Sequence, residues 1–260
     1  MTNNQTMPAK AGPVAGISYL FRGLPLLRQK GVWPWAIVPL IINVVLLGTL
    51  AWATVSWVGS LIEGWLAVLP DWLSWLTSVI NFILIAAVIL GVFQIFTLMA
   101  NLIAAPFNGF LSAAIEQKLT GKRPDSGLSL LQEGLVTLRA EIGKLWFLLS
   151  RAALVGLLSI VLFVIPGLNV LLPAVWFLFG AYMLSLEYLD YPMGNHGLSF
   201  REKRELLARN RLLALGFGAV TTLLTALPVI NLLIMPTAVA GGTLAWVESL
   251  RQTRPGAEQA

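Results

Sequence analysis

The residues able to do chemistry are few. His196 is the single histidine of the chain, and there is no cysteine. Thiolate nucleophiles, disulfides and Cys-based zinc sites are therefore excluded. His196 lies in Tyr191-Pro192-Met193-Gly194-Asn195-His196, a proline- and glycine-bearing loop with no second histidine or HExxH partner for a metal, and neither GxSxG nor a Walker loop occurs. A lone loop histidine reads as structural. Glu187 and Asp190, at i and i+3, could share a helix face, but nearby arginines give them an ordinary salt-bridge role. No catalytic residue, metal site or cofactor is expected, and the chain does not read as an enzyme. What remains is a set of neutral polar side chains inside long apolar stretches: Asn43, Asn81, Gln94, Asn101, Asn108, Asn169 and Asn231. Amides in hydrocarbon seek partners in the protein interior, and with exposed helix N-termini they can bind an oxyanion without committing a full charge to lipid.

The elements that must position these groups follow from the charges. The chain is 57% hydrophobic and 11% charged, where about 25% charged would be usual for a soluble domain. Gly31–Ile62 (32 residues) and Trp72–Ile115 (44 residues) carry no ionisable group, each enough for the ~20 residues that cross a bilayer as helix. Between them, Glu63–Asp71 contains Pro70, and Trp57, Trp65, Trp72 and Trp75 cluster around it, at the headgroup level that amphipathic rings prefer. Two further uncharged runs, Ala152–Leu186 and Leu212–Val247, are interrupted by Pro166 to Asn169 and Pro173, and by Pro228 to Asn231 and Pro236. The arm Ala152–Ile165 has 14 residues, about 21 Å of helix against a core of about 30 Å. These runs read as hairpins that enter and leave by the same face.

The hairpins resemble one another. Pro166-x-x-Asn169 with Pro173 matches Pro228-x-x-Asn231 with Pro236, and Arg151 and Glu187 match Arg211 and Glu248. This spacing suggests an internal repeat. Broken helices in corresponding repeats point to a substrate path, the alternative being simple packing hairpins. Ala104 to Gly109, with Pro106, is either an interruption that frees backbone amides or a bend at the interface.

All seventeen bases fall in four segments: four before Gly31, six from Glu116 to Arg151, five from Glu187 to Arg211 and two in the tail. By the positive-inside rule these are cytoplasmic and the tryptophan-rich turn is external. That bias also accounts for the basic pI without nucleic-acid binding. Met1 to Pro13 lack the apolar core of a cleavable signal, so the first span is expected to insert the chain. Leu131, Leu135, Leu138, Ile142, Leu145 and Leu149 form one apolar stripe, preceded by the capping-box pattern Ser129 to Gln132. A second box is Ser199 to Glu202, after which Arg201, Arg204, Ala208 and Arg211 follow helical steps and place three guanidiniums on one face. That face either anchors to anionic headgroups or forms an electropositive vestibule for anions.

Five motifs together carry a resemblance: Asn101-Leu-Ile-Ala-Ala-Pro-Phe-Asn-Gly109, Asp190-Tyr-Pro-Met-Gly-Asn-His196, Phe200-Arg-Glu-Lys-Arg204, Leu215-Gly-Phe-Gly218 and Pro228-Val-Ile-Asn-Leu-Leu-Ile-Met-Pro236. In this order they resemble CysZ-type sulfate permeases, from about Gly16 to Trp246. The resemblance implies a multi-pass protein of the bacterial inner membrane that admits sulfate for cysteine biosynthesis, with two long transmembrane helices plus two partly penetrating hairpins, assembled as a homo-oligomer. It also implies a sulfate-binding Gly-Leu/Ile-Arg-Arg stretch before the first span. Here that stretch reads Gly31-Val32-Trp33-Pro34, without the arginines. Arg28 and Lys30, just upstream, with the backbone of Gly31 and Val32, are the candidate replacements, because a dianion needs charge-assisted donors. Family members that assemble with opposed protomers conflict with the single orientation that the charges favour.

The expectation is thus an all-α integral membrane protein, 1–260 forming one membrane domain: a cytoplasmic segment 1–30, a transmembrane hairpin 31–115, an amphipathic helix plus first short hairpin 116–186, a polar loop and helix plus second short hairpin 187–247, and a tail 248–260. Asn43, Asn101, Asn108 and Asn231 are candidates for the permeation path. The expected partners are sulfate or a related oxyanion, membrane lipid and further copies of the chain. The alternative is a non-transporting scaffold that organises partners or lipid.

Overall fold

The computed structural model describes residues 12–66, 74–127 and 130–254, the backbone alone over parts of α2, α3, α4 and α8. Among these residues there are helices and turns and no strand. The helices are α1 (Pro13–Leu26), α2 (Trp33–Leu66), α3 (Ser74–Thr120), α4 (Leu130–Val164), α5 (Leu172–Gly194), α6 (Phe200–Arg209), α7 (Arg211–Thr225) and α8 (Pro228–Glu248). Short 3-10 turns occupy Leu168–Leu171 and Leu250–Thr253. The chain divides into two compact units, Met1–Trp33 with Asn108–Ala260, and Pro34–Phe107.

Three segments among the described residues are long and apolar enough to cross a membrane: Trp33–Thr54, Arg139–Val164 and Leu168–Gly194. In the smaller unit, α2 presents Ile37, Val38, Ile41, Val44, Val45, Leu47 and Trp52 outward. Such a surface is at home in hydrocarbon. Of the expected turn Glu63–Asp71, Glu63 to Leu66 are still helical, since α2 runs through Leu66; residues 67–73, Trp72 among them, and the side chains of Trp57, Trp65 and Trp75 lie outside the described residues.

Several sequence expectations change. The helix α3 continues through Pro106, so Ala104 to Gly109 does not interrupt it: proline removes one backbone donor, and the flanking turns still close. The amphipathic stripe and the first hairpin arm are one helix, α4, of 35 residues, so the arm does not begin at Ala152. Arg151 marks a charge and not a helix end, and Arg139–Val164 is long enough to cross. The stripe itself faces outward at Leu135, Ile142, Leu145 and Leu149; Ser129 and the side chains of Leu131 and Leu138 lie outside the described residues.

The proline repeat does not carry equal roles. Pro166 precedes Gly167, whose φ of 87° makes the turn, and Pro173 sits in the first turn of α5. In the second hairpin Pro228 opens α8 and Pro236 lies within it. Proline suits a first helical turn because the amide it lacks would be unbonded there. The break thus falls before Pro228, at Ala226 and Leu227.

The larger unit is cored by α1, α5, α7 and α8, with Leu20, Leu189, Met193, Leu213, Phe217 and Trp246 fully buried. Glycine permits the close approaches. A Cβ on Gly16 would strike the backbone of Leu213, one on Gly216 that of Pro13, one on Gly241 that of Tyr19, and one on Gly218 the carbonyl of Ala181. Small residues at such crossings replace the hydrophobic drive that lipid cannot supply. In sequence, α1 was read only as part of a cytoplasmic segment; Pro13 at its start and Gly16, Tyr19, Leu20 and Gly23 at helical spacing form its buried face.

Candidate functional site

The residues Arg28, Lys30, Gly31 and Val32 occupy the turn between α1 and α2. Gly31 adopts φ 88°, a left-handed conformation that redirects the chain into α2. Arg28 and Lys30 are exposed, whereas Val32 is fully buried and its amide donates to Gln29 O at 3.0 Å. The two cations are therefore available to an anion from solvent, and the Val32 amide is already used.

Beyond Pro106, α3 places Asn108, Ser112 and Glu116 on one face at i, i+4 and i+8, all buried. Each meets a partner from a distant part of the chain. Asn108 Nδ2 donates to Tyr191 Oη at 3.2 Å, Thr243 Oγ1 donates to Ser112 Oγ at 2.9 Å, and His196 Nε2 lies 2.8 Å from Glu116 Oε1. Asn195 Nδ2 adds a bond to Gly109 O at 3.1 Å. The His196 ring packs on Trp246 with centroids 5.2 Å apart. Glu116 is only 3% exposed, and its Oε2 has no hydrogen-bond partner. His196 is thus the partner of a buried carboxylate.

This polar seam continues into an ion-pair layer. Tyr191 Oη donates to Glu187 Oε1 at 3.5 Å. Lys144 Nζ from α4 lies 3.0 Å from Glu187, 3.1 Å from Glu141 and 4.0 Å from Asp190. Lys203 Nζ from α6, almost fully buried, lies 2.7 Å from the other Asp190 oxygen. Glu187 and Asp190 do form salt bridges, with lysines in place of the expected arginines. Asn108, Tyr191, Glu187, Lys144, Asp190 and Lys203 thereby connect α3, α5, α4 and α6 in one series of hydrogen bonds and ion pairs. Satisfying every member is what makes burying such groups tolerable.

The helix α6 is set by its predicted capping box: Ser199 Oγ accepts from the Glu202 amide, and the Glu202 carboxylate accepts from the Ser199 amide at 2.7 Å. Those bonds hold the Glu202 carboxyl below its ordinary pKa. Arg22 donates to Glu248 at 2.9 Å, tying α1 to α8. Bonding to that carboxylate raises the Arg22 pKa further. The expected face of three guanidiniums does not persist. The helix α6 ends at Arg209, Asn210 leaves helical geometry at φ −111°, ψ 35°, and Arg211 begins α7. Arg201 pairs with Glu205 at 2.8 Å, while Arg204 turns onto the ring of Phe147, 4.2 Å from its centroid.

Of the permeation candidates, Asn108 alone is seen in the seam. Asn43 Oδ1, in the smaller unit, is buried without a hydrogen-bond partner. Asn231 and Asn169 are exposed, Asn231 in the first turn of α8 and Asn169 in the 3-10 turn of the first hairpin. The side chains of Asn101, Asn81 and Gln94 lie outside the described residues. Ser112, Glu116, Tyr191, Lys144, Lys203 and Thr243 were not singled out by sequence reasoning. The available signal was the four-residue spacing from Asn108 to Glu116 on the helix leaving the second uncharged run. Among the described residues no cluster of three or more His, Asp or Glu side chains could hold a metal ion.

The family model described as Sulfate transporter CysZ/Etoposide-induced protein 2.4 matches residues 19–236. The chain is similar to the Sulfate transporter CysZ of Pectobacterium atrosepticum, with 38% identity over 91% of this chain and 86% of that protein. It is similar to that of Salmonella typhi at 38% over 92% and 94%. A third relative of the same name, from Salmonella typhimurium, is 37% identical over the same shares. With an all-helical structure that includes membrane-length apolar helices, and a match across most of its length, this chain belongs to the Sulfate transporter CysZ/Etoposide-induced protein 2.4 family.

Proposed function

We propose that this protein carries sulfate across the bacterial inner membrane as a channel-like permease that supplies cysteine biosynthesis. The observation that carries the reading is 38% identity over about nine tenths of the chain to proteins named sulfate transporters. The chemistry supports it. A dianion crossing lipid is served by neutral polar groups at depth, and Asn108 and Ser112 place an amide and a hydroxyl along one face of α3, bonded to the hydroxyls of Tyr191 and Thr243 that an anion would have to displace. Cations stand at the entrances: Arg28 and Lys30, with the Gly31 and Val32 turn, are the proposed sulfate-collecting site before α2. Asn43, Asn101, Asn108 and Asn231 are proposed to border the path.

In this reading both hairpins penetrate partway. For α7–α8 the support is length, since α7 has 15 residues, about 22 Å. For α4–α5 it is Arg151, whose charge belongs at headgroup depth and leaves only Ala152–Val164 as the uncharged part of α4, about 20 Å of helix. Assembly as a homo-oligomer rests on the family resemblance.

Growth tests the reading. A strain lacking its own sulfate uptake should grow on limiting sulfate when this protein is expressed, and grow equally with or without it on cysteine. Failure of rescue by a protein present in the membrane would reject it.

A further inference from the structure

A cavity of about 420 Å³ lies between α4, α5 and α6 and is lined by no residue of α3. Its polar lining is Arg151, Arg204 and Tyr182; the rest is Phe147, Phe179 and aliphatic side chains including Leu154, Val155 and Leu158. Two guanidiniums converge on one aromatic ring: Arg204 Cζ is 4.2 Å and Arg151 Cζ 5.3 Å from the Phe147 centroid. Phe200 holds Arg204 from another side at 5.7 Å, and its ring meets that of Phe147 edge-on. Neighbouring cations are neutralised, Lys144 and Lys203 by carboxylates and Arg201 by Glu205. Neither Arg151 nor Arg204 forms an ion pair among the described residues.

Two like charges oriented by one ring repel, and an anion between them relieves the repulsion. The planar forks of the guanidiniums match a tetrahedral oxyanion, and their attraction to the Phe147 ring holds both near it beforehand. An inorganic anion would satisfy the arginines and leave the apolar wall unfilled. An amphiphile satisfies both. Below the arginines, Leu154 and Leu158 are half-exposed on the outward side of α4, so an acyl chain can leave the cavity directly along the apolar helix surface.

We infer that Arg151, Arg204 and Phe147 form a binding site for the phosphate headgroup of an anionic phospholipid, whose acyl chain lies along Leu154, Val155 and Leu158. The site joins α4 to α6 and is separate from sulfate passage.

Native mass spectrometry of the full protein, titrated with phosphatidylglycerol or phosphatidylcholine, tests this. The expected result is at least tenfold tighter retention of phosphatidylglycerol, lost in R151Q/R204Q and unchanged in R209Q/R211Q, whose cations lie outside the cavity. Size-exclusion elution and melting temperature identify any misfolded variant. V155F, which fills the acyl groove and leaves both arginines, should weaken phosphatidylglycerol at least fivefold and leave inorganic sulfate or phosphate binding at the arginines unaffected. Equal retention of the two lipids, or equal losses in the two arginine pairs, would reduce the site to general surface charge and overturn the proposal. Displacement of phosphatidylglycerol by millimolar inorganic anion, with V155F indistinguishable from wild type, would likewise overturn it in favour of a small-oxyanion site.

Discussion

The two hairpins are similarly apolar in sequence and differ in surroundings. In the first, α5 packs into the core but α4 faces outward at Leu154, Leu157, Val161, Phe163 and Val164. In α7–α8, Leu213, Ala214, Phe217, Thr221 and Ala238 to Ala240 are buried against α1 and α5. Hydropathy says that a segment leaves water, without saying whether it meets lipid or protein. The glycines do say. Gly156 on α4 has open space where a Cβ would be, whereas Gly216 on α7 and Gly241 on α8 lie against backbone.

Substitution at these glycines should give the largest contrast. Gly216→Leu should abolish folding or lower stability by more than the ~1–3 kcal/mol of ordinary overpacking, because backbone cannot yield as a side chain can. Gly156→Leu should be neutral or slightly stabilising, since glycine costs a helix about 1 kcal/mol relative to alanine. Melting temperatures in detergent check both. Equal losses would mean that α4 is also packed against protein at Gly156.

The charge pairs offer the next contrast. Asp190→Asn leaves Lys203 buried and unpaired and should cost about 3–5 kcal/mol. Glu205→Gln breaks the exposed Arg201 pair and should leave the melting temperature nearly unchanged. Thermal denaturation separates them. Similar losses would show that the α6 surface pair is as shielded as the interior one.

The depth of the hairpins can be compared directly, because the chain has no native cysteine. Single cysteines at Leu171 and Leu227, one in each tip, should resist a membrane-impermeant maleimide added from outside. Outside labelling at Leu171 alone would make α4–α5 a full crossing and leave α7–α8 partial.

The smallest effect concerns the α6 cap. The Glu202 carboxyl titrates lower in the folded protein than in the unfolded chain. Its contribution is therefore fully present above the unfolded value, near 4.3, and is lost as pH falls through the folded value. Glu202→Gln should lower the melting temperature slightly at pH 7, and the gap to wild type should close on acidification. A gap that widens in acid would reverse the sign of this assignment.

These contrasts also show where sequence reading stopped. Uncharged runs located α2, α3 and the two hairpins, because crossing lipid forbids charge over about 20 residues, and Ser199 with Glu202 announced the start of α6 by local chemistry. Arg151 was mistaken for a boundary because a helix can run on through an arginine. The helix α1 was missed because its packing depends on Gly16 and Gly23, whose value is the absence of a side chain. The seam was half legible: Asn108 stood out as an amide in an apolar run, but Tyr191, Thr243 and His196 reach α3 from 80 to 131 residues away, and no local pattern encodes such a pairing.

Sulfate flux tests the central claim most directly. Purified protein in liposomes should take up radiolabelled sulfate well above empty vesicles, and Asn108→Leu and Arg28→Gln should each reduce uptake about tenfold while eluting as wild type does on size exclusion. Uptake equal to that of empty vesicles would contradict sulfate permeation, and wild-type flux in both variants would contradict the path through the seam and the turn before α2.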